Sequence, residues 1–453
     1  MLTIEPLDAL RPGLQGEIVT PADAGWDAAR QAWNVTADQR PVLVALPEHA
    51  GDVAAIVDYA RERGLRIAPQ GTGHNATPLA WDEDTILLST ARMRSVDIDP
   101  VARRARVEAG VLWLEVTEKS SPHGLAPLSG SSPDVGVVGY TLGGGLSWLA
   151  RRHGLAANSV LAVEIVTADG RLRRVDAATD ADLFWALRGG GGSFGVVTAM
   201  EFALYEAPHV YAGSLWWPAA RAAEVAHAWR QWTATAPDEV TSALRVLNMP
   251  PIDLVPEPLR GRSWITVDGA ILHDENAAAA LLRPLRGLGP EIDMWGPIPP
   301  VELSRIHGDP EDPTPALSTS TMLRELPAEA IDAFVAAAGP DFGSPLVGAE
   351  LRHLGGAVAR AAEGAGAIAR LDGAYALYAF GVPMTPELGA AISGYLPRLK
   401  AALAPWSDGR GYLNFEEQPA GAETFFDAAT LERLRAVKAA VDPLGIFRAN
   451  HPV

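Results

Sequence analysis

The chain of 453 residues contains no cysteine. This absence excludes disulfide bonds, thiolate metal sites, iron–sulfur clusters and cysteine nucleophiles. No apolar run approaches the ~18 residues that a membrane-spanning helix needs. The first thirteen residues have neither a basic start nor an apolar core, so we expect no signal peptide and place the protein in the cytoplasm.

Positive charge is scarce relative to negative charge. Lysine and arginine number 37 against 55 aspartates and glutamates, which gives a formal net charge of −18 at pH 7. Such a surface repels phosphate backbones and anionic lipids, so nucleic acid and membranes are poor partners. The remaining composition is that of a globular protein, and its length suits two domains. The sequence does not distinguish a monomer from a homodimer.

Short strand and helix patterns alternate over the first ~200 residues. Residues 40–46 predict a strand, residues 48–64 predict a helix that stops at Gly64, and a second strand follows. Beyond Tyr205 the chain becomes richer in proline, alanine and tryptophan. There, residues 263–272 and 375–382 predict long strands, and Ala328–Ala338 predicts a helix. Ala428–Val441 predicts a helix near the end of the chain.

The first glycine-rich cluster is PQGTGHN, residues 69–75, directly after a strand. Gly71 and Gly73 allow positive φ, so their backbone N–H groups can form a nest for a diphosphate. Neither a G-x-G-x-x-G motif opening the N-terminal helix nor a G-x-x-x-x-G-K-[ST] motif is present, so the cradle is of another type. An ordinary turn with a structural histidine is the alternative.

Three further glycine-containing clusters follow, at residues 129–160, 183–202 and 411–417. In a helix, glycine costs about 1 kcal/mol relative to alanine, so core packing alone does not favour it. So much glycine indicates backbone that packs closely against a large ligand, although turns between elements are the alternative. The histidines lack metal-binding spacing, and we expect no metal site.

Taken in order, these motifs resemble the berberine bridge enzyme-like FAD-linked oxidases of the vanillyl-alcohol oxidase superfamily, which include 6-hydroxynicotine oxidase relatives. The motifs are PQGTGHN, SPDVGVVGYTLGGGLSWLARRHGLAANSV, VTADGR, DLFWALRGGGGSFGVVT, YLNF and VKAAVDPLGIFRAN. The resemblance implies an α+β fold with a two-part PCMH-type FAD-binding domain, residues 1–205 and 410–453. A substrate domain of antiparallel sheet and flanking helices, residues 206–409, is inserted between these parts.

The resemblance also implies that FAD is bound covalently through His74, whose neutral ring nitrogen is a competent nucleophile. Ser132 stands where many relatives have a second, cysteine linkage, so a single bond is expected. Gln70 replaces a basic residue of the family. The implied cofactor-binding residues are His74, Gln70, Gly71, Thr72, Gly73, Asn75, Gly130, Ser131, Ser132, Val135, Gly136, Gly139, Tyr140, Gly143, Gly154, Asn158, Val197 and Asn414.

Tyr412 is the family's candidate base. Tyr412 and Asn414 are expected to face the same way on a strand. Glu350 and Arg352, also two residues apart, can project over the flavin or belong to a solvated face. Of Tyr375 and Tyr378, which point to opposite faces of a strand, we favour Tyr378 as a pocket residue.

These residues predict an oxidase that takes a hydride from an alcohol, hemiacetal or amine carbon of a small organic substrate. Tyr412 or Glu350 accepts the proton, and dioxygen reoxidises the flavin to give hydrogen peroxide. A dehydrogenase with another electron acceptor and a flavin-containing drug-binding protein are the alternatives. The aromatic residues of the inserted domain suggest a polycyclic secondary metabolite, although core packing explains them equally well.

Overall fold

The structure is a computed structural model that describes residue 10, residues 13–253 and residues 255–453. Most of the N-terminal stretch used to argue against a signal peptide therefore lies outside the described residues. Within the described ranges, no helix has both the length and the apolarity to cross a membrane. Helices and sheets are mixed along the chain, which confirms the predicted α+β class.

The first sheet contains the loop that carries His74. Its elements are β1 (Glu17–Val19), α1 (Trp26–Ala29), β2 (Leu43–Leu46), α2 (Ala50–Arg63), β3 (Arg66–Gln70) and β4 (Thr85–Ser89). Its strand order is β1-β2-β4-β3, and β4 pairs in parallel with both β2 and β3. Helix α2 ends at Gly64, which has a φ of 65°. The predicted strand–helix–strand opening is confirmed.

The second sheet is antiparallel and lies between the first sheet and the large third one in sequence. Its strands are β5 (Val96–Asp99), β6 (Arg104–Glu108), β8 (Val160–Val166), β9 (Leu172–Asp176) and β10 (Val196–Ala203), and a separate pair joins β7 (Leu125–Ala126) to β11 (Tyr205–Glu206). The helices of this stretch are α3 (Trp113–Ser120), α4 (Val137–Leu142), α5 (Ala150–His153) and α6 (Ala181–Leu187). The short helix α4 begins inside the second glycine-rich cluster.

The third sheet is an eight-stranded antiparallel sheet. Its strands are β12 (Val210–Pro218), β13 (Val240–Asn248), β14 (Ser263–Ile271), β15 (Ile292–Asp293), β16 (Gly296–Ile298), β17 (Leu317–Leu323), β18 (Gly348–His353) and β19 (Tyr375–Gly381). Helices α7 (Ala222–Thr233), α8 (Glu275–Arg286), α9 (Ala328–Ala338) and α10 (Pro386–Leu403) belong to the same stretch. The strands and helix predicted here are confirmed to within two residues.

The two faces of the third sheet differ in polarity because side chains alternate along each strand. Leu244, Leu351 and Leu377 share one face and pack in a core with residues of α7, α8, α9 and α10. On the opposite face the register aligns Glu350 with Arg245 on one side and with Tyr378 on the other. This charged face, defined by Arg245, Asp268, Glu350, Arg352 and Tyr378, carries the substrate-domain candidates.

The end of the chain returns to the first sheet after α11 (Ala428–Val441). The Ile67 N–H donates to the Ile446 carbonyl at 2.8 Å, and the Arg448 N–H donates to the Ile67 carbonyl at 2.8 Å. The C-terminal residues thus extend the sheet whose strand β3 leads into the His74 loop. The domain boundaries at 205 and 409 stay a prediction.

The strand expected around Tyr412 and Asn414 is wrong. Leu413–Phe415 form a 3-10 helix, and Tyr412 is the extended residue before it. The N–H groups of Phe415 and Glu416 both donate to the Tyr412 carbonyl, at 2.9 and 3.1 Å. This turn uses the backbone groups that a strand would offer to a neighbour, so the two side chains do not share a strand face.

Candidate active site

His74 lies at the end of the loop after β3, against an aromatic ring. The ring of Trp33 stacks on the imidazole with centroids 4.2 Å apart and planes 14° apart. The Thr72 hydroxyl lies 2.7 Å from His74 Nδ1. On the other side of the ring, His74 Nε2 lies 3.6 Å from Asp134 Oδ2 and has no hydrogen-bond partner. The imidazole is therefore fixed in orientation, with one buried nitrogen unsatisfied.

Hydrogen bonds and close packing bring three of the glycine-rich clusters together around His74. The Asn75 side chain donates to the Leu413 carbonyl at 3.0 Å, and the Asn414 side chain donates to the Tyr140 carbonyl at 2.9 Å. A methyl group on Gly136 would lie 3.6 Å from Thr72. Residues that are 338 and 274 positions apart in sequence thus line one cleft.

The consecutive glycines after α4 are required by what packs against them. A Cβ on Gly143 would lie 1.7 Å from Asn414 Oδ1, and one on Gly144 would lie 3.2 Å from the Tyr412 hydroxyl. Gly144 and Gly145 also have φ values of 121° and 77°, which other residues rarely adopt. The glycines therefore let α4 approach the segment that carries Tyr412 and Asn414.

The described residues of this cleft fit FAD by two independent observations. A Cβ added to Gly139 or Gly191 would meet no atom within 4 Å, and the Gly191 N–H donates to the carbonyl of Leu142 at the end of α4, so the backbone of these two glycines faces open space beside that helix. The polar atoms that are buried without a partner include His74 Nε2, Asn75 Oδ1, Asp134 Oδ1, Tyr140 OH and Tyr412 OH. Buried polar atoms are normally paired, so an unpaired group of them indicates a polar ligand. A long dinucleotide that needs close backbone approach matches this lining.

Tyr412 is buried beneath Gly144, with its side chain only 2 % exposed. Burial raises the pKa of Tyr412 above its ordinary value, although the nearby Gly145 backbone N–H and the Arg352 charge act in the opposite direction. Burial likewise raises the pKa of Tyr140 well above 10. Both phenols are therefore protonated near pH 7 and act as hydrogen-bond donors there.

Glu350 and Arg352 form an ion pair on the charged face. Arg352 Nε donates to Glu350 Oε1 at 2.6 Å, and Arg352 Nη2 donates to the Ser131 hydroxyl at 3.2 Å. Burial alone would lower the pKa of Arg352, but the adjacent Glu350 carboxylate raises it above its ordinary value. Arg352 therefore stays cationic and joins the charged face of the third sheet to the second glycine-rich cluster.

Arg245, Asp268 and His307 extend this ion pair into a buried network. Arg245 contacts Asp268 directly, and His307 Nε2 lies 3.5 Å from Asp268 Oδ2 and 3.9 Å from Glu350 Oε2. Burial raises the pKa of Asp268, against the attraction of Arg245 and His307. Glu350 is thus held from two sides by cationic or ionisable groups.

Tyr378 lies on the charged face and donates from its hydroxyl to Glu417 Oε1 at 2.8 Å. Glu417 follows the Tyr412 segment, and the Asn34 amide donates to its other oxygen at 3.4 Å. Burial raises the pKa of Glu417 to about 7, although the Tyr378 hydrogen bond lowers it. Tyr375 points to the other face, where its hydroxyl lies 2.8 Å from the Thr233 hydroxyl.

Other predicted cofactor residues have partners within the protein. Both ends of the Asn158 amide bind the segment 366–369, and Val197 packs in the core on β10. The Ser132 hydroxyl donates to Asp309 at 2.8 Å, and Gly154 begins the turn after α5.

The glycines of the first two clusters differ in backbone conformation and packing. Gly73 has a φ of 81°, but Gly71 does not adopt a positive φ. Gly130 packs against the Tyr140 ring, while Gln70 lies beside Gly73.

Several residues of the cleft were missed by sequence reasoning. Asp134 and Glu417 stand inside motifs that were recognised, but neither was singled out. Arg245 and Asp268 are single charges in otherwise uncharged strands, and that isolation is a signal that could have found them. Trp33 reaches His74 from 41 positions away, and no local pattern predicts that contact.

Two family models match the chain. The model described as the FAD binding domain matches residues 41–176, and the model described as berberine and berberine like matches residues 411–453. These matched ranges contain His74, Asp134, Tyr412 and Asn414, which the structure brings into one cleft.

Proteins of known name are similar over parts of the chain. (R)-6-hydroxynicotine oxidase from Paenarthrobacter nicotinovorans is 39% identical over 205 residues, which are 45% of this chain and 45% of that protein. Glucooligosaccharide oxidase from Sarocladium strictum is 33% identical over 41% of this chain and 38% of its own. The aligned stretches therefore span less than half the length of these two curated relatives.

Similarity of fold extends over nearly the whole chain. The crystal structure of 6-hydroxy-D-nicotine oxidase from Arthrobacter nicotinovorans matches with a TM-score of 0.84 and 28% identity, and it covers 98% of both chains. The predicted fold, a PCMH-type FAD-binding part with an inserted antiparallel sheet, is confirmed by this match. The resemblance predicted from the sequence is confirmed as well: the chain carries an FAD binding domain and a C-terminal segment that matches the berberine and berberine like model, and the relatives that it resembles are named as FAD-linked oxidoreductases and oxidases.

Proposed function

We propose that this protein is an FAD-dependent oxidase that holds its cofactor through a single covalent bond to His74. Its substrate is a small organic molecule that is oxidised at an alcohol, hemiacetal or amine carbon. The observation that carries the proposal is the convergence of two unpaired buried groups, His74 Nε2 and the Tyr412 hydroxyl, on one cleft lined by open glycine backbone.

The chain's own residues divide the binding of FAD between three segments. The loop from Gln70 to Asn75 and the backbone around Gly136 and Gly139 hold the diphosphate and the adjoining ring system. Asn414, anchored on the Tyr140 carbonyl, faces the same cleft. When bound, FAD supplies the hydride acceptor and passes the electrons on to dioxygen, which leaves as hydrogen peroxide.

Glu350 and Tyr412 have complementary tasks in this proposal. Because burial raises its pKa, Tyr412 keeps its proton at neutral pH and donates a hydrogen bond to the oxygen or nitrogen of the substrate. Glu350 is a carboxylate on the charged face and accepts the proton that the substrate loses. Arg352 and His307 hold the Glu350 side chain in position. Tyr378, bound to Glu417, lines the same face.

The names of the relatives support a substrate with a hydroxyl- or amine-bearing carbon. One relative is named for a hydroxynicotine and another for glucooligosaccharides, and both names describe oxidases. The charged face offers both acidic and basic groups for such a molecule. We propose a secondary metabolite of this chemical type as the substrate.

The test begins with the purified protein. We expect yellow protein that keeps its colour in the acid-precipitated pellet and gains the mass of one FAD, whereas His74→Ala loses both properties. With an alcohol and amine panel, we expect turnover that produces hydrogen peroxide. A flavin that stays reduced in air for minutes in a stopped-flow experiment would contradict the oxidase and favour a dehydrogenase. Absence of turnover across the panel would favour a binding protein.

Two variants separate the roles of Glu350 and Tyr412 in the same experiment. Glu350→Gln is expected to slow anaerobic flavin reduction roughly 10²- to 10⁴-fold, which is the usual contribution of a general base. Tyr412→Phe is expected to cost less and to leave the pH dependence of reduction unchanged. If Tyr412→Phe abolishes that pH dependence and Glu350→Gln does not, Tyr412 is the base.

A further inference from the structure

The Asp134 side chain contacts both Trp33 and His74. Its hydrogen bond to Trp33 does not account for the contact with His74. Its Oδ2 accepts a hydrogen bond from the Trp33 indole and also lies 3.6 Å from His74 Nε2. Its Oδ1 is buried and has no partner, and neither has His74 Nε2. A carboxylate and an imidazole nitrogen, both incompletely satisfied, therefore face each other in the cleft.

A structural role for Asp134 would be to satisfy the indole N–H of Trp33. That role needs one acceptor atom and no charge, and a neutral amide would serve equally well. The Asp134 side chain is only 13% exposed, and a carboxylate largely removed from water is costly unless it is paired with a positive charge. Among the described residues, no lysine or arginine forms an ion pair with Asp134, and the ionisable side chain that faces it is His74, at 3.6 Å.

We propose that Asp134 is the positioning residue for covalent attachment of FAD to His74. This inference rests on the proposed function, because it concerns the same bond. The carboxylate keeps the proton of His74 on Nε2, as the aspartate of a catalytic triad fixes the tautomer of its histidine. The lone pair of Nδ1 then faces the Thr72 hydroxyl, which must turn away before that nitrogen bonds to the flavin. Trp33 keeps the ring in plane, and the Thr72 hydroxyl marks the Nδ1 side.

The step balances with dioxygen as the oxidant. A ring nitrogen of His74 forms a bond to the 8α-carbon of the flavin, and one carbon–hydrogen bond of that methyl group breaks. The methyl carbon and the imidazole each give up one proton to solvent. The two electrons left behind are taken by dioxygen, which becomes hydrogen peroxide. While the bond forms, the ring becomes positively charged, and the Asp134 carboxylate stabilises that charge.

The experiment measures attachment and not turnover. Full-length protein from a riboflavin-depleted host is incubated with FAD in air, and the covalent fraction is followed by intact mass and by absorbance after acid precipitation. Asp134→Asn is expected to bind FAD and melt like the wild type but to attach it roughly 10- to 100-fold more slowly, the usual effect of losing an orienting partner. Asp134→Glu is expected to restore part of the rate.

Matched variants make the outcome decisive. Asp293→Asn removes a carboxylate of the third sheet that pairs with Arg286, outside the cleft, and it is expected to attach FAD at the wild-type rate. Trp33→Phe removes the indole donor but retains a ring to stack on His74, and it is expected to stay within about threefold of the wild type, a small loss beside that of the carboxylate.

Each result has one meaning. If Asp134→Asn attaches FAD at the wild-type rate while His74→Ala attaches none, the role of Asp134 is wrong and the proposed function stands. If the wild type itself attaches no FAD, the covalent linkage in the proposed function is wrong. Should Asp134→Asn fail to fold, Asp134→Glu decides the matter: attachment as slow as in His74→Ala, without loss of FAD binding, would sink the proposal.

Discussion

Individual glycines of the cleft are constrained by different neighbours, and this difference can be measured. Gly143 has a φ of −86°, which any residue adopts, so its constraint is contact and not backbone conformation. Gly139 lies in α4, also with ordinary backbone, and faces open space. An alanine therefore meets protein at one position and empty space at the other, although both glycines belong to the same motif.

Gly143→Ala is expected to destabilise the protein by about 1–3 kcal/mol, because Asn414 must move away and its bond to the Tyr140 carbonyl is lost. Gly139→Ala is expected to be neutral or to stabilise by up to about 1 kcal/mol, since alanine favours a helix. Urea unfolding of the FAD-free proteins checks both values. Gly139→Ala should nevertheless weaken FAD binding, and unchanged affinity would contradict the proposed placement of the cofactor.

At this scale, sequence reasoning identified residues whose chemistry depends on local pattern. His74 follows a glycine-rich turn directly after a strand, and both features are visible in seven residues. The Asp134 contact depends on where two distant loops meet, and the Trp33 indole bonds to a carboxylate 101 positions away. No local pattern encodes such a meeting, so these residues became visible only in the folded chain.

Helices whose apolar residues recur at regular spacing were predicted well, and the irregular segment around Tyr412 was not. Helices α9 and α11 begin and end at the predicted residues because their apolar positions repeat at helical spacing. The Tyr412 segment was predicted as a strand, but its backbone closes a 3-10 turn on the Tyr412 carbonyl. Where a short segment has no neighbouring strand to bond to, such local hydrogen bonds determine its backbone conformation.

Arg151, at the start of α5, joins the second glycine-rich cluster to the third sheet. Its guanidinium donates to the carbonyls of Val240, Ala236 and Leu354, and it lies 2.8 Å from His353 Nε2. Burial and the Arg151 charge together lower the pKa of His353 to about 3, so this histidine is neutral and accepts the bond. One side chain thus connects α5 with β13 and with the turn after β18.

Arg151→Ala is expected to lower the free energy of unfolding by about 2–4 kcal/mol, because several buried carbonyls lose their donor at once. Arg152→Ala is the matched control. That side chain is 53% exposed and lies 3.6 Å from Glu239, so its loss should cost less than about 1 kcal/mol. Urea denaturation at pH 7 measures both. Equal losses in the two variants would contradict a connecting role for Arg151.

For the molecule as a whole, Glu417 lies where three parts of the chain meet. Its carboxyl group binds Tyr378 of the third sheet and Asn34 of the N-terminal part, and it belongs to the C-terminal segment. Burial at this junction raises its pKa from 4.5 to about 7. The folded protein therefore holds this proton more tightly than the unfolded chain, and the junction is coupled to pH.

The raised pKa of Glu417 sets the direction in which the stability of the protein changes with pH. The contribution of Glu417 to stability is fully present below pH 4.5 and is lost as the pH rises through about 7, where the buried group ionises. Between pH 5 and pH 8 the wild type is expected to lose on the order of 3 kcal/mol through this group. Glu417→Gln should remove that loss, and urea unfolding at both pH values measures the difference.

Tyr378→Phe is the companion variant, because it removes the hydroxyl that lowers the pKa of Glu417. Without that donor the folded carboxyl group holds its proton to a higher pH, so the fall in stability should continue to a higher pH and become larger than in the wild type. Opposite changes in the two variants would locate the pH coupling at the junction of Glu417 and Tyr378. If Glu417→Gln keeps the pH slope of the wild type, the carboxyl group is solvated, and the three parts of the chain are joined there without a buried proton.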